Sequence, residues 1–223
     1  MKKKEIQKFL NKLKNMWPED HDAIGAIHLL EAKTDELSED LAESSLLSID
    51  TSDQNLPLPV ELKDQSEGFA IFSDGACRGN PGPGAYAMII QNHLGEVVLK
   101  SSSVEMPTTN NKMELSGIIR GLHGLFEKFQ EDGHSQSHVP IFVFSDSKYV
   151  IDGITSWVPG WKARGWKKAD NKEPENLDLW KELDGLKSNF SNIKFIWVKG
   201  HAGHPQNELC DRMCNQALNE AGF

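Results

Sequence analysis

The sequence predicts an α/β domain that contains five strands and follows a separate helical segment. From residue 67 onward, short apolar runs alternate with longer stretches in which apolar residues recur every three or four positions. Before that point the chain has helical patterns only, followed by a polar stretch with prolines. We therefore divide the chain into a helical N-terminal extension over residues 1–50, a linker over 51–66 and a main domain over 67–223.

Composition and charge limit the classes of protein that this chain can belong to. Of its 223 residues, 38% are hydrophobic and 26% are charged, as in soluble proteins with a packed core. No apolar run approaches the roughly 18 residues that span a bilayer, and the three cysteines fit a reducing compartment. We expect a cytoplasmic protein with no membrane segment. Because the net charge is −9, binding to nucleic acid would need a local basic patch.

The N-terminal extension carries two helical patterns. Residues 3–17 form one apolar and one lysine-rich helical face, and residues 22–47 continue with a less regular pattern. A helical hairpin packed on itself or on the main domain is one interpretation. The alternative is that residues 1–50 dock a protein partner or mediate self-association. A mitochondrial presequence fits less well, because Glu5 is acidic and arginine is absent from this segment.

The first predicted strand leads directly to an aspartate. Residues 69–72 are all apolar, and Asp74 follows at the start of a turn rich in glycine and proline that extends to residue 84. Since such residues disfavour a strand, we expect the strand to stop near Asp74. An isolated aspartate in this position is more often a turn cap than a functional group.

The following segments predict a meander, a helix and a fourth strand. Residues 85–91 and 96–104 are strand candidates joined by a tight turn, which gives three antiparallel strands. Residues 110–129 show one apolar helical face and carry Glu114 in the first turn. Residues 139–144 form another apolar strand, and Asp146 comes just after it.

The region after a short predicted helix over residues 148–156 has an unusual composition. Tryptophans alternate there with cations: Trp157, Trp161 and Trp166 are interleaved with Lys162, Arg164, Lys167, Lys168 and Lys172. This interleaving favours a surface that stacks on sugars or bases and neutralises phosphates over simple core packing. We expect Pro159 and Gly160 to disrupt the beginning of a helix in this region.

The last part of the chain is predicted to contain a helix over 176–186, a strand over 193–198 and a final helix over 207–221. The loop between the last two elements carries His201 and His204. The final helix places Asp211 in its first turn.

Four carboxylates on four different elements can meet at one edge of the sheet: Asp74, Glu114, Asp146 and Asp211. Clustered carboxylates repel one another unless a cation lies between them, and hard oxygen ligands suit Mg²⁺ or Mn²⁺. Two such ions about 4 Å apart are a common device for cleaving phosphodiesters. Each carboxylate alone is more simply explained as a cap or a solvated charge.

From residue 68 to residue 221 the sequence resembles the type I ribonucleases H of bacteria. The matching blocks occur in the family's order and spacing: Ser73-Asp74-Gly75, Gly79-Asn80-Pro81-Gly82-Pro83-Gly84, Thr108-Thr109-Asn110-Asn111-Lys112-Met113-Glu114-Leu115, Ser145-Asp146-Ser147-Lys148-Tyr149-Val150, and Trp197-Val198-Lys199-Gly200-His201-Ala202-Gly203-His204-Pro205 through Asn207-Glu208 to Cys210-Asp211. The resemblance implies a ribonuclease H-like fold, with a five-stranded mixed sheet and helices on both faces. It also implies that residues 67–223 are the catalytic domain of an endonuclease that cuts the RNA strand of RNA-DNA hybrids.

The resemblance further implies roles for individual residues. Asp74, Glu114, Asp146 and Asp211 match the catalytic carboxylates that hold two Mg²⁺ ions, for which Mn²⁺ can substitute. His201 matches a catalytic histidine that helps proton transfer or product departure. In the family scheme, water attacks in line and leaves a 5′-phosphate and a 3′-hydroxyl.

Contacts to the hybrid are also implied by the resemblance, at Asn80, Thr109, Asn110, Trp157, Lys162, Arg164, Trp166, Lys167 and Lys168. Asn80 and Asn110 match contacts to the RNA strand, and Thr109 matches a contact to a DNA phosphate. The residues from 157 to 168 match a basic protrusion that holds the DNA strand. Lys148 departs from the pattern, because relatives often carry a neutral polar residue or histidine there, and we expect it to add a phosphate contact.

Two other functions remain open at the level of sequence. A transposase or integrase shares the fold, but it matches fewer of these blocks and normally lacks the histidine loop and the tryptophan-rich protrusion. A non-catalytic module that binds hybrids would be favoured if one of the carboxylates were missing. All four carboxylates are present.

Overall fold

A five-stranded mixed sheet forms the centre of the described part of the chain. The computed structural model describes residues 56–132, 138–200 and 204–223. The chain divides into two compact units, Met1–Ser48 and Ile49–Phe223, and the described residues all belong to the second. The predicted helices of the extension therefore lie outside the described residues.

The strands follow the order β3-β2-β1-β4-β5 across the sheet. They are β1 (Phe69–Cys77), β2 (Gly82–Asn92), β3 (Val97–Thr108), β4 (Ile141–Ser145) and β5 (Ile193–Trp197). The first three strands form an antiparallel meander. β4 pairs with β1 and β5 pairs with β4, and both of these pairs are parallel. The predicted mixed sheet is confirmed.

Helices cover both faces of this sheet. They are α1 (Asn110–Asp132), α2 (Lys148–Asp152), α3 (Val158–Ala163), α4 (Leu177–Lys187) and α5 (Pro205–Glu220), with a π-helical turn, Gly153–Trp157, between α2 and α3. α1 packs on β1, β2 and α4, whereas α5 packs on the meander strands. No helix within the described ranges is long and apolar enough to cross a membrane.

The alternation of side chains along the strands explains the two layers of the core. Ile71 and Val143 share one buried cluster with side chains of α1 and α4, such as Leu115 and Leu183. The intervening positions point to the opposite face, because successive side chains on a strand alternate. On that face, the rings of Phe72 and Phe144 stack with their centroids 4.6 Å apart.

The first strand is longer than the sequence predicts. It runs through Cys77, so Asp74 lies within β1 and pairs with Ala87 of β2 rather than ending the strand. Gly75 also lies in this strand. Glycine is required there because α1 crosses so closely that a Cβ would overlap the backbone nitrogen of Glu114. The glycines therefore permit a close crossing and an irregular start of β2, where the register shifts between Gly82 and Gly84.

Pro159 and Gly160 do not disrupt the helix in the basic region, so that prediction was wrong. Residues 148–163 are helical without a break, and Pro159 lies in the first turn of α3. Within a regular helix, proline removes a backbone hydrogen bond and its ring clashes with the preceding turn. The π-helical turn immediately before this helix changes the backbone hydrogen-bonding pattern, and the helical stretch continues through Pro159.

Part of the predicted linker packs on the main domain. Residues Val60–Leu62 form a 3-10 helix, and the Leu62 side chain is fully buried. Two glutamines hold the chain just before it: Gln91 donates to the Leu56 carbonyl at 3.2 Å, and Gln206 donates to the Pro57 carbonyl. Residues 51–55 lie outside the described ranges.

Candidate metal and nucleic-acid site

Three carboxylates from separate elements meet at one end of the sheet. Asp74 on β1, Glu114 on α1 and Asp146 after β4 each contribute an oxygen, and these three oxygens lie within 4.8 Å of one another. The parallel pairing of β1 with β4 explains part of this, because Phe72 pairs with Phe144 and each aspartate comes two residues later. The close crossing of α1 over Gly75 brings in Glu114. We call these three residues the acidic cluster.

The surroundings of Glu114 fit a bound cation. Its side chain is only 7% exposed. Burial raises the pKa of Glu114 well above its ordinary value, and the charges of Asp74 and Asp146 raise it further. The Asn110 amide donates to its Oε1 at 3.1 Å, whereas the buried Oε2 has no hydrogen-bond partner among the described residues. Three close carboxylates with one unpartnered oxygen are a set of ligands for a hard divalent ion.

Asp146 is held in place by two hydrogen bonds, and Gly200 packs closely against its carboxylate. The buried Asn207 of α5 donates from Nδ2 to Oδ2 of Asp146 at 3.2 Å. The indole Nε1 of Trp197 donates to the carbonyl oxygen of Asp146 at 2.9 Å. At Gly200, a Cβ would lie 2.5 Å from Oδ2 of Asp146, so only glycine fits without a shift. Sequence reasoning assigned no role to Asn207 or Trp197.

The fourth predicted ligand lies outside this cluster. Asp211 is on α5, one turn after Asn207, and is half-buried. Its Oδ1 accepts a hydrogen bond from Asn215 Nδ2 at 3.0 Å, and its oxygens do not come within 4.8 Å of all three cluster oxygens. The structure therefore brings three of the four predicted ligands together.

Of the two predicted loop histidines, the structure describes His204 and not His201. His201 lies outside the described residues, and its predicted role in proton transfer stays a prediction. His204 is exposed and precedes the first turn of α5.

The cysteines of α5 are structural. Burial raises the pKa of both thiols, Cys210 and Cys214, and the charge of Asp74 raises each further. They donate to the carbonyl oxygens of Phe72 and Asp74, at 3.5 Å in both cases. Both side chains therefore stay protonated and fix α5 against β1.

Three predicted substrate contacts lie together at the start of α1. Asn80 is exposed in the turn between β1 and β2, and its Oδ1 accepts from the backbone nitrogen of Asn110 at 3.3 Å. The Thr109 hydroxyl accepts from the backbone nitrogen of Lys112 at 3.3 Å. Through Asn110, which also bonds Glu114, this group is connected to the acidic cluster.

Comparison with known proteins gives the family. The RNase H family model matches residues 66–219, which is more than half of the chain. The chain belongs to the ribonuclease H family.

Individual relatives agree with this family assignment. The ribonuclease H of Nitrosomonas eutropha is 42% identical over 159 residues, covering 71% of this chain and 94% of the relative. The crystal structure of LC9-RNase H1 is 31% identical, with a TM-score of 0.56, and the match covers 70% of this chain and 74% of that chain. This ribonuclease H family member is accordingly a hydrolytic nuclease, as predicted.

A structure of a more distant protein shows the same fold. LC11-RNase H1, solved in complex with an RNA/DNA hybrid, is 24% identical, with a TM-score of 0.54, and the match covers 70% of this chain and 99% of that chain. The predicted ribonuclease H-like fold is confirmed.

The tryptophans of this ribonuclease H family member divide between core and surface. Trp161 is buried and packs edge-on against the fully buried Trp180, with ring centroids 5.7 Å apart. Trp157 is 39% exposed and borders a surface cavity of about 590 Å³, together with Arg164 and Lys168. The expected surface character of the cluster is therefore wrong for Trp161, because its helical position turns the ring toward α4.

The predicted cations of the protrusion are not all free. Nζ of Lys162 lies 2.6 Å from Oδ2 of Asp184 on α4, and Nε of Arg164 donates to the Lys167 carbonyl at 3.2 Å. Trp166 adopts φ +63°, and its backbone nitrogen donates to the Trp161 carbonyl at 2.6 Å. Lys167 is exposed and Lys168 is half-buried. In the free protein, the charge of Lys162 is thus already partly compensated.

Proposed function

We propose that this chain is an endonuclease that hydrolyses the RNA strand of RNA-DNA hybrids and leaves 5′-phosphate and 3′-hydroxyl ends. The observation that carries the proposal is the acidic cluster, in which Glu114 is buried beside two further carboxylates. Membership of the ribonuclease H family supports the choice of substrate. The proposal includes a cytoplasmic location, which the cysteine usage predicts.

The ligand set fits Mg²⁺, and Mn²⁺ can substitute because it prefers the same oxygen donors. Asp74, Glu114 and Asp146 would hold the metal, and we propose Asp211 as the fourth ligand of a two-ion site. Bound divalent ions supply activation of the attacking water and stabilisation of the leaving oxygen. The protein's own contribution is to fix the carboxylates, through Asn110 for Glu114 and through Asn207 for Asp146.

The hybrid is recognised on both of its strands in this proposal. Asn110 bonds Glu114 and Asn80 bonds the backbone of Asn110, and in this proposal the two asparagines sense the 2′-hydroxyl that distinguishes RNA from DNA. Thr109 contacts a DNA phosphate. The exposed ring of Trp157 and the cations between residues 162 and 168 hold the DNA strand by stacking and charge, and His201 assists proton transfer or product departure.

A panel of duplexes tests the proposal. Purified protein is incubated in Mg²⁺ with end-labelled RNA-DNA, RNA-RNA and DNA-DNA duplexes of one sequence. We expect cleavage of the RNA strand of the hybrid alone. The products should carry a 5′-phosphate group, which a phosphatase removes. Joining of strands would indicate a strand-transfer enzyme, and tight binding without cleavage would indicate a non-catalytic module, so either result contradicts the proposal.

We also propose that residues 1–50 dock a protein partner or mediate self-association. The amphipathic pattern of residues 3–17 supports this role. Sedimentation of the full chain over a concentration series separates the two possibilities, since self-association makes the apparent mass rise with concentration.

A further inference from the structure

An exposed tryptophan and a lysine lie directly beside the acidic cluster, and the function proposed above gives neither of them a contact with the hybrid. Trp197 ends β5 opposite Ser145, and its indole is tied to the Asp146 carbonyl at 2.9 Å. The ring is nevertheless 42% exposed. Nζ of Lys148, the first residue of α2, lies 4.9 Å from the centroid of this ring.

Among the residues that the structure describes, the lysine ammonium contacts the ring and no carboxylate. Lys148 is exposed, and in the described ranges no acidic side chain lies within ion-pair distance of it. This contrasts with Lys162, which is paired with Asp184, and with Lys112, which is paired with Glu105. The indole ring attracts the ammonium but carries no net charge, so this contact does not pair Lys148 with an anion.

The position of the ring also explains why the lysine does not interfere with the acidic cluster. Asp146 is only two residues from Lys148, and an ammonium drawn to that carboxylate would compete with a metal ion. The Trp197 ring offers the ammonium a different contact, while the Asp146 carbonyl fixes the ring. The cation is thus close to the cluster but is kept off its oxygens.

We infer that Lys148, positioned by Trp197, binds a phosphate of the RNA strand next to the phosphate that is cut. This inference rests on the proposed function, because the strand that is cut must lie over the acidic cluster and therefore beside Lys148. An ammonium ion is a suitable partner for a phosphate, and each such contact releases counterions from the nucleic acid. Lys148 is a binding residue in this account, and Trp197 is a positioning residue.

The test measures binding to a fluorescent, blunt RNA-DNA hybrid by anisotropy, in EDTA, over a series of KCl concentrations. For Lys148→Gln, we expect the slope of log K against log salt to become shallower by about one. At low salt we expect about three- to tenfold weaker binding. Lys63→Gln is the matched control, because Lys63 is also an exposed lysine but lies on the linker segment. An unchanged slope and affinity for Lys148→Gln would overturn the inference.

A double-mutant comparison tests the part played by Trp197. We expect Trp197→Leu to weaken hybrid binding in the wild-type background and to have no further effect when Lys148 is already glutamine. Equal losses in both backgrounds would contradict the positioning role. Wild-type protein that does not bind the hybrid would contradict the proposed function as well, whereas normal hybrid cleavage with an unchanged slope in Lys148→Gln would contradict only this inference.

Discussion

The surroundings of Glu114 in the acidic cluster disfavour a negative charge on its carboxyl group. Its carboxyl group is buried, and two further carboxylates face it. Because its pKa is raised in the folded protein, the folded state binds a proton more tightly than the unfolded state does. Without a cation, the free energy of unfolding therefore decreases as the pH rises through the folded-state pKa of Glu114.

The variant Glu114→Gln tests this electrostatic cost. In EDTA at pH 7, we expect Glu114→Gln to have a higher melting temperature than the wild type, because the neutral amide removes the repulsion. The difference should fade as the pH falls towards 4.5, the ordinary pKa of a glutamate, since the wild-type carboxyl then becomes neutral. Added Mg²⁺ should stabilise the wild type more than the variant. A variant that melts lower than the wild type at pH 7 in EDTA would contradict this account.

Asn207 is a single residue that positions Asp146 through a hydrogen bond to its carboxylate. Removing a residue that hydrogen-bonds to a metal ligand typically lowers activity or metal affinity by about 10- to 100-fold. We expect a loss of that size in hybrid cleavage by Asn207→Ala, measured as kcat/KM at a fixed Mg²⁺ concentration. Gln216→Ala on the exposed side of α5 is the matched control and should cleave normally. Equal rates for the two variants would show that Asn207 does not position Asp146.

At the scale of elements, α4 limits the charge that the protrusion presents to a hybrid. Asp184 of α4 is mostly buried, whereas Lys162, its partner on α3, is half exposed. If the protrusion binds the hybrid as proposed, the ion pair competes with substrate phosphates for the same ammonium group. Ion pairs at the protein surface contribute about 0.2–1 kcal/mol, and the solvent-accessible lysine places this pair near that range.

Releasing Lys162 should strengthen hybrid binding. We expect Asp184→Asn to bind the hybrid roughly two- to fivefold more tightly at low salt, in line with the strength of such a pair. The measurement is fluorescence anisotropy, and Asp178→Asn, which removes an exposed charge from the first turn of the same helix, is the control for net charge. If both variants bind equally tightly, Lys162 has no specific role.

The short 3-10 helix before β1 is a second element with a testable contribution. Leu62 is fully buried, whereas Val60 in the same turn is 71% exposed. Removing a buried leucine side chain typically costs about 2–5 kcal/mol. We expect a loss of that size for Leu62→Ala in urea unfolding of the full chain, and at most about 0.5 kcal/mol for the control Val60→Ala. Similar stability of the two variants would show that this segment is not part of the folded core.

For the whole molecule, the sequence predicts the order and type of the elements well, because apolar periodicity is a local signal. The position of Asp74 within β1 was not predictable in the same way. Gly75 reads locally as a turn residue, whereas in the structure it allows α1 to cross the strand closely. Trp161 shows a similar limit, because its burial depends on contact with Trp180 of a later helix. The roles of Asn207 and Trp197 depend on contacts with Asp146 over long distances in the sequence.

The candidate site itself was predictable because its residues lie in blocks of a known family. Those blocks identified all three members of the acidic cluster, although one of them, Asp74, was placed at the end of a strand. The placement of Asp211 apart from the cluster could not be predicted, because a motif gives the order of residues and not the distances between their oxygens. The buried Leu62 was missed for another reason: one leucine in a polar stretch with prolines carries no periodic signal.

Cleavage of the RNA strand by the acidic cluster is tested by replacing one of its carboxylates. The initial rate of hybrid cleavage in saturating Mg²⁺ is compared for wild type, Asp146→Asn and the control Asp152→Asn, which alters an exposed carboxylate at the end of α2. We predict that Asp146→Asn lowers the rate by more than about 100-fold, beyond the effect of losing a partner of a metal ligand, and that Asp152→Asn cleaves at the wild-type rate. Undiminished cleavage by Asp146→Asn would contradict the account.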